Sequence, residues 1–251
     1  MISKSISFKF ENNNRLSVGT ILIVFILLLS NPKRIIAQGG RWEGPINISD
    51  DFNESFYPSI VADRSGVVHV VWAEDQFGAT GGIQINYARY DGEIRTQAVD
   101  IILSPNSTEA TTPVLASDHQ GYLHLVWEGT GQVFYSQAWA ADAHSARGWQ
   151  NPVMLTETID NNASAPDIAV DQGGIIHLTF AVPVGKESGI YYMRSNDNGY
   201  SWSSPSVVYL NNFSDKKVDN ARLSADRSGS IHIVWTEYNF PETYPPLGIR
   251  Y

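Results

Sequence analysis

The sequence predicts an all-β fold, a β-propeller of four-stranded antiparallel blades, and three observations carry the prediction. One phrase recurs four times, as Pro58-SIVADRSGVVHVVW-Ala73, Pro113-VLASDHQGYLHLVW-Glu128, Pro166-DIAVDQGGIIHLTF-Ala181 and Ala221-RLSADRSGSIHIVW-Thr236. Its histidines, His69, His124, His177 and His232, stand 55, 53 and 55 residues apart. Each copy is built from short β-branched and aromatic runs, with no helical period anywhere. A unit of this size can bury its faces only against its neighbours, as in radial or stacked repeats. A β-helix would repeat faster, and a β-sandwich would not repeat.

Within one copy the elements follow in order. Ser59 to Ala62 is a first strand, and Asp63-Arg64-Ser65-Gly66 has the Asp and Gly of a type I turn closing a hairpin. The turn recurs at Asp118–Gly121, Asp171–Gly174 and Asp226–Gly229. The second strand, such as Val67–Trp72, is apolar enough to be buried on both faces. A variable loop leads to a third strand, at 83–90, 132–138 and 189–195. A fourth opens with Trp-x-x-Pro, at Trp149–Pro152 and Trp202–Pro205.

Residues 1–37 form a separate segment. An apolar run from Val18 to Ser30 follows Lys4, Lys9 and Arg15 and is shorter than the roughly 20 residues of a membrane span. It reads as a signal peptide with Ala37 at the cleavage point. Lys33 and Arg34 keep an uncleaved N-terminal anchor as the alternative, the one membrane connection expected. Either way residues 38–251 are secreted or held at the cell surface. Removing Lys4, Lys9, Arg15, Lys33, Arg34 and Glu11 from 17 basic and 26 acidic residues leaves 12 and 25, a net charge of −13. Such a surface repels phosphate backbones, so no nucleic-acid partner is expected. The chain has no Cys, which excludes disulfides, thiolate metal sites and a Cys nucleophile. Five Asn-x-Ser/Thr sequons begin at Asn47, Asn53, Asn106, Asn162 and Asn212.

In the third unit, Ser195-ND-Asn198-Gly199-YS-Trp202 spells S-x-D-x-G-x-x-W. Here the chain resembles the sialidase-like propellers with Asp-box (BNR) repeats, in which this motif occupies the turn between third and fourth strands. Ser195, Asp197, Gly199 and Trp202 carry the resemblance, and the other units have lost the motif. The resemblance covers residues 41–251 and implies a structural turn, not an active site. It also implies a ring of usually six blades. The repeat supplies about four, with Trp42-EG-Pro45 a lone fourth strand and the last unit stopping in its third, so the expectation is a C-terminally truncated ring, with four blades closed by the Trp42 strand as the alternative.

The repeated histidines are expected to be core residues bonded to backbone or to a turn on the adjacent blade. Zinc needs ligands 2.0–2.1 Å away, whereas equivalent positions on stacked sheets lie on the order of 10 Å apart, so no metal or other cofactor is predicted. Propeller chemistry sits at the end where first strands begin and second strands finish, here called the mouth. The ligand-binding candidates that fall there are Glu74, Asp75, Glu128, Asp167, Arg222, Glu237, Tyr238 and Tyr244, with Phe56, Tyr57 and Asp219 beside them. Arg64 and Arg227 lie in the turns at the other end. Aromatic rings beside carboxylates suit stacking on sugar faces while bonding hydroxyls.

No catalytic residue is assigned. The resemblance implies three arginines clamping a substrate carboxylate, a tyrosine nucleophile with a glutamate and an aspartate acid/base. The first of those arginine positions is Phe56, and Arg222 is the one arginine at a first-strand start. The leading expectation is therefore a binding module for glycan or an extracellular protein. An exo-sialidase-type glycoside hydrolase completed by further blades, and a scaffold within a larger surface protein, are the rivals.

Overall fold

A computed structural model describes residues 44–45, 47–49, 53–75, 82–92, 99–100, 109–159, 162–239 and 246–251. The expected signal or anchor segment 1–37, Trp42 and Tyr244 lie outside the described residues.

The repeat becomes four antiparallel sheets, each a simple meander. Blade 1 is β1 (Glu54–Ala62), β2 (Val68–Asp75), β3 (Ile83–Tyr90) and β4 (Val99–Asp100). Blade 2 is β5 (Ala110–Ser117), β6 (Tyr122–Gly129), β7 (Gln132–Trp139) and β8 (Val153–Met154). Blade 3 is β9 (Ser164–Val170), β10 (Ile176–Val182), β11 (Gly189–Ser195) and β12 (Ser206–Leu210). Blade 4 is β13 (Lys216–Ala225), β14 (Ile231–Asn239) and β15 (Gly248–Arg250). The Trp-x-x-Pro motifs precede β8 and β12 instead of opening them; the strands begin just after the prolines.

Alternation along the second strands decides what each blade touches, because successive side chains point to opposite faces. Val71 and Ile85 of blade 1 join Leu123, Leu125 and Trp127 of blade 2 in one core cluster. Val126 and Val133 of blade 2 join Ile176, Leu178 and Phe180 of blade 3 in another. Ala181 and Ile190 meet Val218, Ala221 and Trp235 in a third. The second strands β6 and β10 are thus each shared between two interfaces, and β10 is buried along its whole length. The outer faces differ. Ile60 of blade 1 is 69 % exposed, while its counterparts Leu115 and Ile168 are buried.

The D-x-x-G turns do two jobs. In the first, Gly66 N–H bonds the Asp63 carbonyl at 3.0 Å, and Gly66 takes a φ of 87° that a side chain would resist. Asp63 Oδ1 accepts from the Ser65 and Val67 N–H groups at 2.8 and 3.0 Å. Its second oxygen, Oδ2, lies 3.2 Å from His69 Nε2, and His69 Nδ1 lies 2.7 Å from the Tyr87 hydroxyl. The same Asp–His–Tyr relay recurs as Asp118–His124–Tyr135, Asp171–His177–Tyr192 and Asp226–His232–Tyr251. All three members belong to one blade. This corrects the expectation of a bond to the adjacent blade's turn: the side chain lies along its own sheet and ties second strand to turn and to third strand.

A neutral imidazole satisfies the whole relay, with Nε2–H donating to the carboxylate and Nδ1 accepting from the phenol. The neighbouring blade then caps it. Trp149 of blade 2 packs edge-on against Tyr87 at 6.1 Å, and Trp202 of blade 3 against Tyr135 at 5.0 Å. In blade 4 the relay faces solvent, and Tyr251 is 80 % exposed.

Candidate functional site

Every first strand carries a bulge at the mouth, where its register against the second strand shifts. The residue at each bulge is left-handed without being glycine: Tyr57, Thr112, Ala165 and Asn220, with φ between 46° and 54°. Each costs on the order of 1–2 kcal/mol, and the first three precede proline, which restricts them further. Bulges re-aim side chains, and here they do so at the same level in all four blades.

Two residues past the bulge, the side chain reaches the next blade. Ser59 Oγ accepts from Leu115 N–H at 3.1 Å, and Asp167 Oδ2 from Leu223 N–H at 2.7 Å. Burial pushes the Asp167 carboxyl above its ordinary range, against the opposing pull of that bond and of the Arg222 charge. Asp167 is therefore a buried clamp between blades. Arg222, at the same register in blade 4, is exposed and donates to the Ala221 carbonyl at 2.8 Å.

Glu74 and Glu237 occupy one register, five residues after their histidines, and both are buried. Glu74 accepts from the Trp72 indole at 3.0 Å and from Asn53 at 3.2 Å. Glu237 takes a forked bond from Arg250, at 3.0 Å to Nε and 2.9 Å to Nη2, with Lys216 at 3.9 Å. Burial alone would push the Glu237 carboxyl up, but bonds from Arg250 and Tyr209 hold it below its usual range. Glu74 is thus engaged by its own blade, and Glu237 by its own blade and by Tyr209 of blade 3. Asp75 ends β2, opposite Glu54.

What comes together at the mouth is a different set. Glu128, the penultimate residue of β6, lies one position short of those glutamates and points toward blade 3, where Ala165 N–H approaches Oε2 at 3.4 Å. Burial raises its pKa, Asp219 and Glu109 raise it further, and Lys217 opposes them. Lys217 in turn pairs with Asp219 at 2.8 Å. On the same strand Asn220 Nδ2 donates to the Tyr238 hydroxyl at 2.9 Å, and Thr236 Oγ1 donates to the Asp219 carbonyl at 3.0 Å. Three blades therefore supply one polar group: Glu109 and Glu128, the Ala165 backbone, and Lys217, Asp219, Asn220 and Tyr238.

Of the sequence candidates, Glu128 and Tyr238 join this group, and Glu74, Asp167 and Glu237 turn inward. Lys217, Asn220 and Glu109 were missed. The signal for Asn220 was its place immediately before the repeat's first-strand residue Ala221, where the other copies carry their pre-proline bulge residue. Among the described residues, no three His, Asp or Glu side chains are placed to hold a metal ion.

The turn at Ser195–Trp202 sits at the other end. Ser195 Oγ donates to Asp197 Oδ1 and accepts from Gly199 N–H, both at 2.8 Å, and Asp197 accepts from Ser201 N–H at 2.9 Å. Gly199 lies against the relay of blade 2, so that a Cβ there would fall 2.0 Å from the Tyr135 hydroxyl.

No protein-family model matches the chain, and no curated protein matches it in sequence. Solved structures do. A protein of unknown function from Dyadobacter fermentans matches with a TM-score of 0.56 and 15 % identity, over 78 % of this chain and 64 % of that one. A polysaccharide lyase of family PL25, an ulvan lyase, matches at 0.53 and 14 %, over 74 % and 48 %. The Trypanosoma rangeli sialidase in complex with the inhibitor DANA matches at 0.50 and 11 %, over 74 % and 35 %. The fold is a sialidase-like β-propeller. Identities this low show the fold alone, and the chain spans about a third to two-thirds of these proteins' lengths. Within the propeller, the bulged strand starts around Glu128 mark the mouth as the place to look for a ligand.

Proposed function

We propose that this propeller is an exported glycan-binding module whose ligand enters the mouth at Glu128, Asp219, Asn220 and Tyr238. The approach of Asp219 and Lys217 of blade 4 to Glu128 of blade 2, whose carboxylate meets the blade 3 backbone at Ala165, is the observation that carries the reading. Carboxylates outnumber the lone Lys217 there, so a sialic acid or uronate would be repelled. A neutral or amine-bearing sugar fits, with hydroxyls bonding the carboxylates and Asn220 and a ring face lying on Tyr238. The lyase and the sialidase, both named for action on carbohydrate, support carbohydrate as the ligand class. The S-x-D-x-G-x-x-W turn fits the Asp box of that family, and residues 1–37 fit an export signal.

A second reading, a glycoside hydrolase, draws on Glu128 alone. A carboxyl whose pKa is raised by burial is suited to general-acid work. A sialidase-type site finds no support in the arginines, since Arg222 bonds its own strand.

An oligosaccharide array tests the proposal. Wild-type protein is expected to retain neutral or amino sugars, and Tyr238→Ala and Glu128→Gln to lose them with unchanged melting temperature. Retention unaltered by both substitutions would overturn the mouth as the binding site.

A further inference from the structure

The opposite end of the blades carries a second recess. It lies between the hairpin turns of blades 1 and 2, has a volume of about 370 Å³, and its lining includes Asp63, Arg64, His119, Gln120, Gly121 and Trp139. Trp139, the last residue of β7, is 44 % exposed, which is unusual for an indole in a chain that buries Trp72, Trp127, Trp149 and Trp235.

The indole is held from beneath. Tyr122 meets it edge-on at 5.0 Å, and Gly121 lies so close that a Cβ there would sit 3.3 Å from the ring. Ala140 N–H bonds the Gly121 carbonyl at 2.9 Å and fixes the chain just past the ring. Trp139 is therefore a fixed platform with one open side, not a side chain free to fold back.

Around that platform stand groups without partners among the described residues. Asp63 and Asp118, the acids of the two flanking turns, are committed to the relays and to their own turns' N–H groups. The exposed side chains of Arg64, His119 and Gln120 have no hydrogen bond or ion pair to another described residue. An open indole ringed by a guanidinium, an imidazole and an amide matches a sugar ring with an anionic substituent. The apolar CH face lies on the indole, and the fork of Arg64 takes two oxygens of a carboxylate or sulfate. His119 and Gln120 reach ring hydroxyls.

We propose that this recess binds an acidic pyranose unit of a polysaccharide, a uronate or sulfated sugar, independently of the mouth. The two ends would then differ in the ligand charge they accept, since the mouth is rich in carboxylates and this recess presents Arg64.

Tetragalacturonate, a sulfated tetrasaccharide and cellotetraose, each titrated into the full chain while indole fluorescence is followed, test the assignment. Saturable binding of either acidic probe, weakened at least tenfold by Trp139→Ala and by Arg64→Gln and unaffected by Tyr238→Ala, is the expected result. Which acidic probe binds more tightly tells carboxylate from sulfate. Equal affinity for cellotetraose, no binding of either acidic probe, or affinities unchanged in both variants would each overturn it. Both substituted side chains are surface groups, so melting temperatures within about one degree of wild type are expected, and Trp139→Phe serves as the milder variant if Trp139→Ala unfolds.

Discussion

Tyr135 shows most simply what the repeat holds together. Its hydroxyl, buried by Gly199 and Trp202 of the next blade, bonds His124, and burial keeps the phenol far above its ordinary pKa. Tyr135→Phe leaves a buried imidazole nitrogen without its donor and is expected to cost about 1–3 kcal/mol in urea denaturation. Tyr251→Phe makes the same change where water replaces the hydroxyl, and is expected to cost less than about 0.5 kcal/mol. Gly199→Ala must both strain a left-handed residue and displace the Tyr135 ring, for an expected loss above about 2 kcal/mol.

The relay also fixes a pH dependence. Burial lowers the His69 pKa, and Asp63 only partly restores it. The folded state then binds fewer protons than the unfolded one below about pH 6.5, so the stability His69 contributes is complete above that value and declines as pH falls. Glu128 and Asp167, whose pKa values burial raises, act in the opposite sense at lower pH. The clean readout is therefore a difference: the urea midpoint advantage of wild type over His69→Gln should narrow between pH 7 and pH 5. A constant advantage would mean that His69 is not held neutral.

At the scale of elements, the second strands were legible and the first-strand starts were not. Apolar runs such as Ile176–Val182 announce a strand buried on both faces, and β10 is so buried. The bulge was hidden because Tyr57, Thr112, Ala165 and Asn220 share position but no chemistry; only the backbone is repeated. That hidden offset is why Glu74, Asp167 and Glu237 read as mouth residues and prove to be partnered inside or between blades. The relay tyrosines were obscure for a similar reason, since they follow their histidines by 18, 11, 15 and 19 residues. Loop length varies while cross-strand register does not.

Two consequences belong at this scale. Asp167→Asn keeps an acceptor for Leu223 N–H and is expected to be nearly neutral, whereas Asp167→Ala orphans that N–H and should cost about 1–3 kcal/mol. Glu237→Ala breaks a buried carboxylate's pairing with a half-exposed Arg250 and should lower the melting temperature measurably.

Over the whole molecule, structure and recognition separate along the blade axis. The repeated residues, His and the turn Asp, build the sheets and are consumed by them. The residues proposed to meet a ligand, Lys217, Asn220 and Tyr238 at the mouth and Trp139 at the turns, are the unrepeated ones. Amide hydrogen exchange should show the corresponding gradient in stability, with β6 and β10, enclosed on both faces, exchanging slowest and β13–β15 fastest. The measurement that bears most directly on the central claim is an amide chemical-shift map of the protein titrated with the best neutral or amino oligosaccharide from the array. The largest shifts are expected at Glu128, Ala165, Asp219, Asn220 and Tyr238. A saturable titration that leaves those five amides unmoved would contradict that claim.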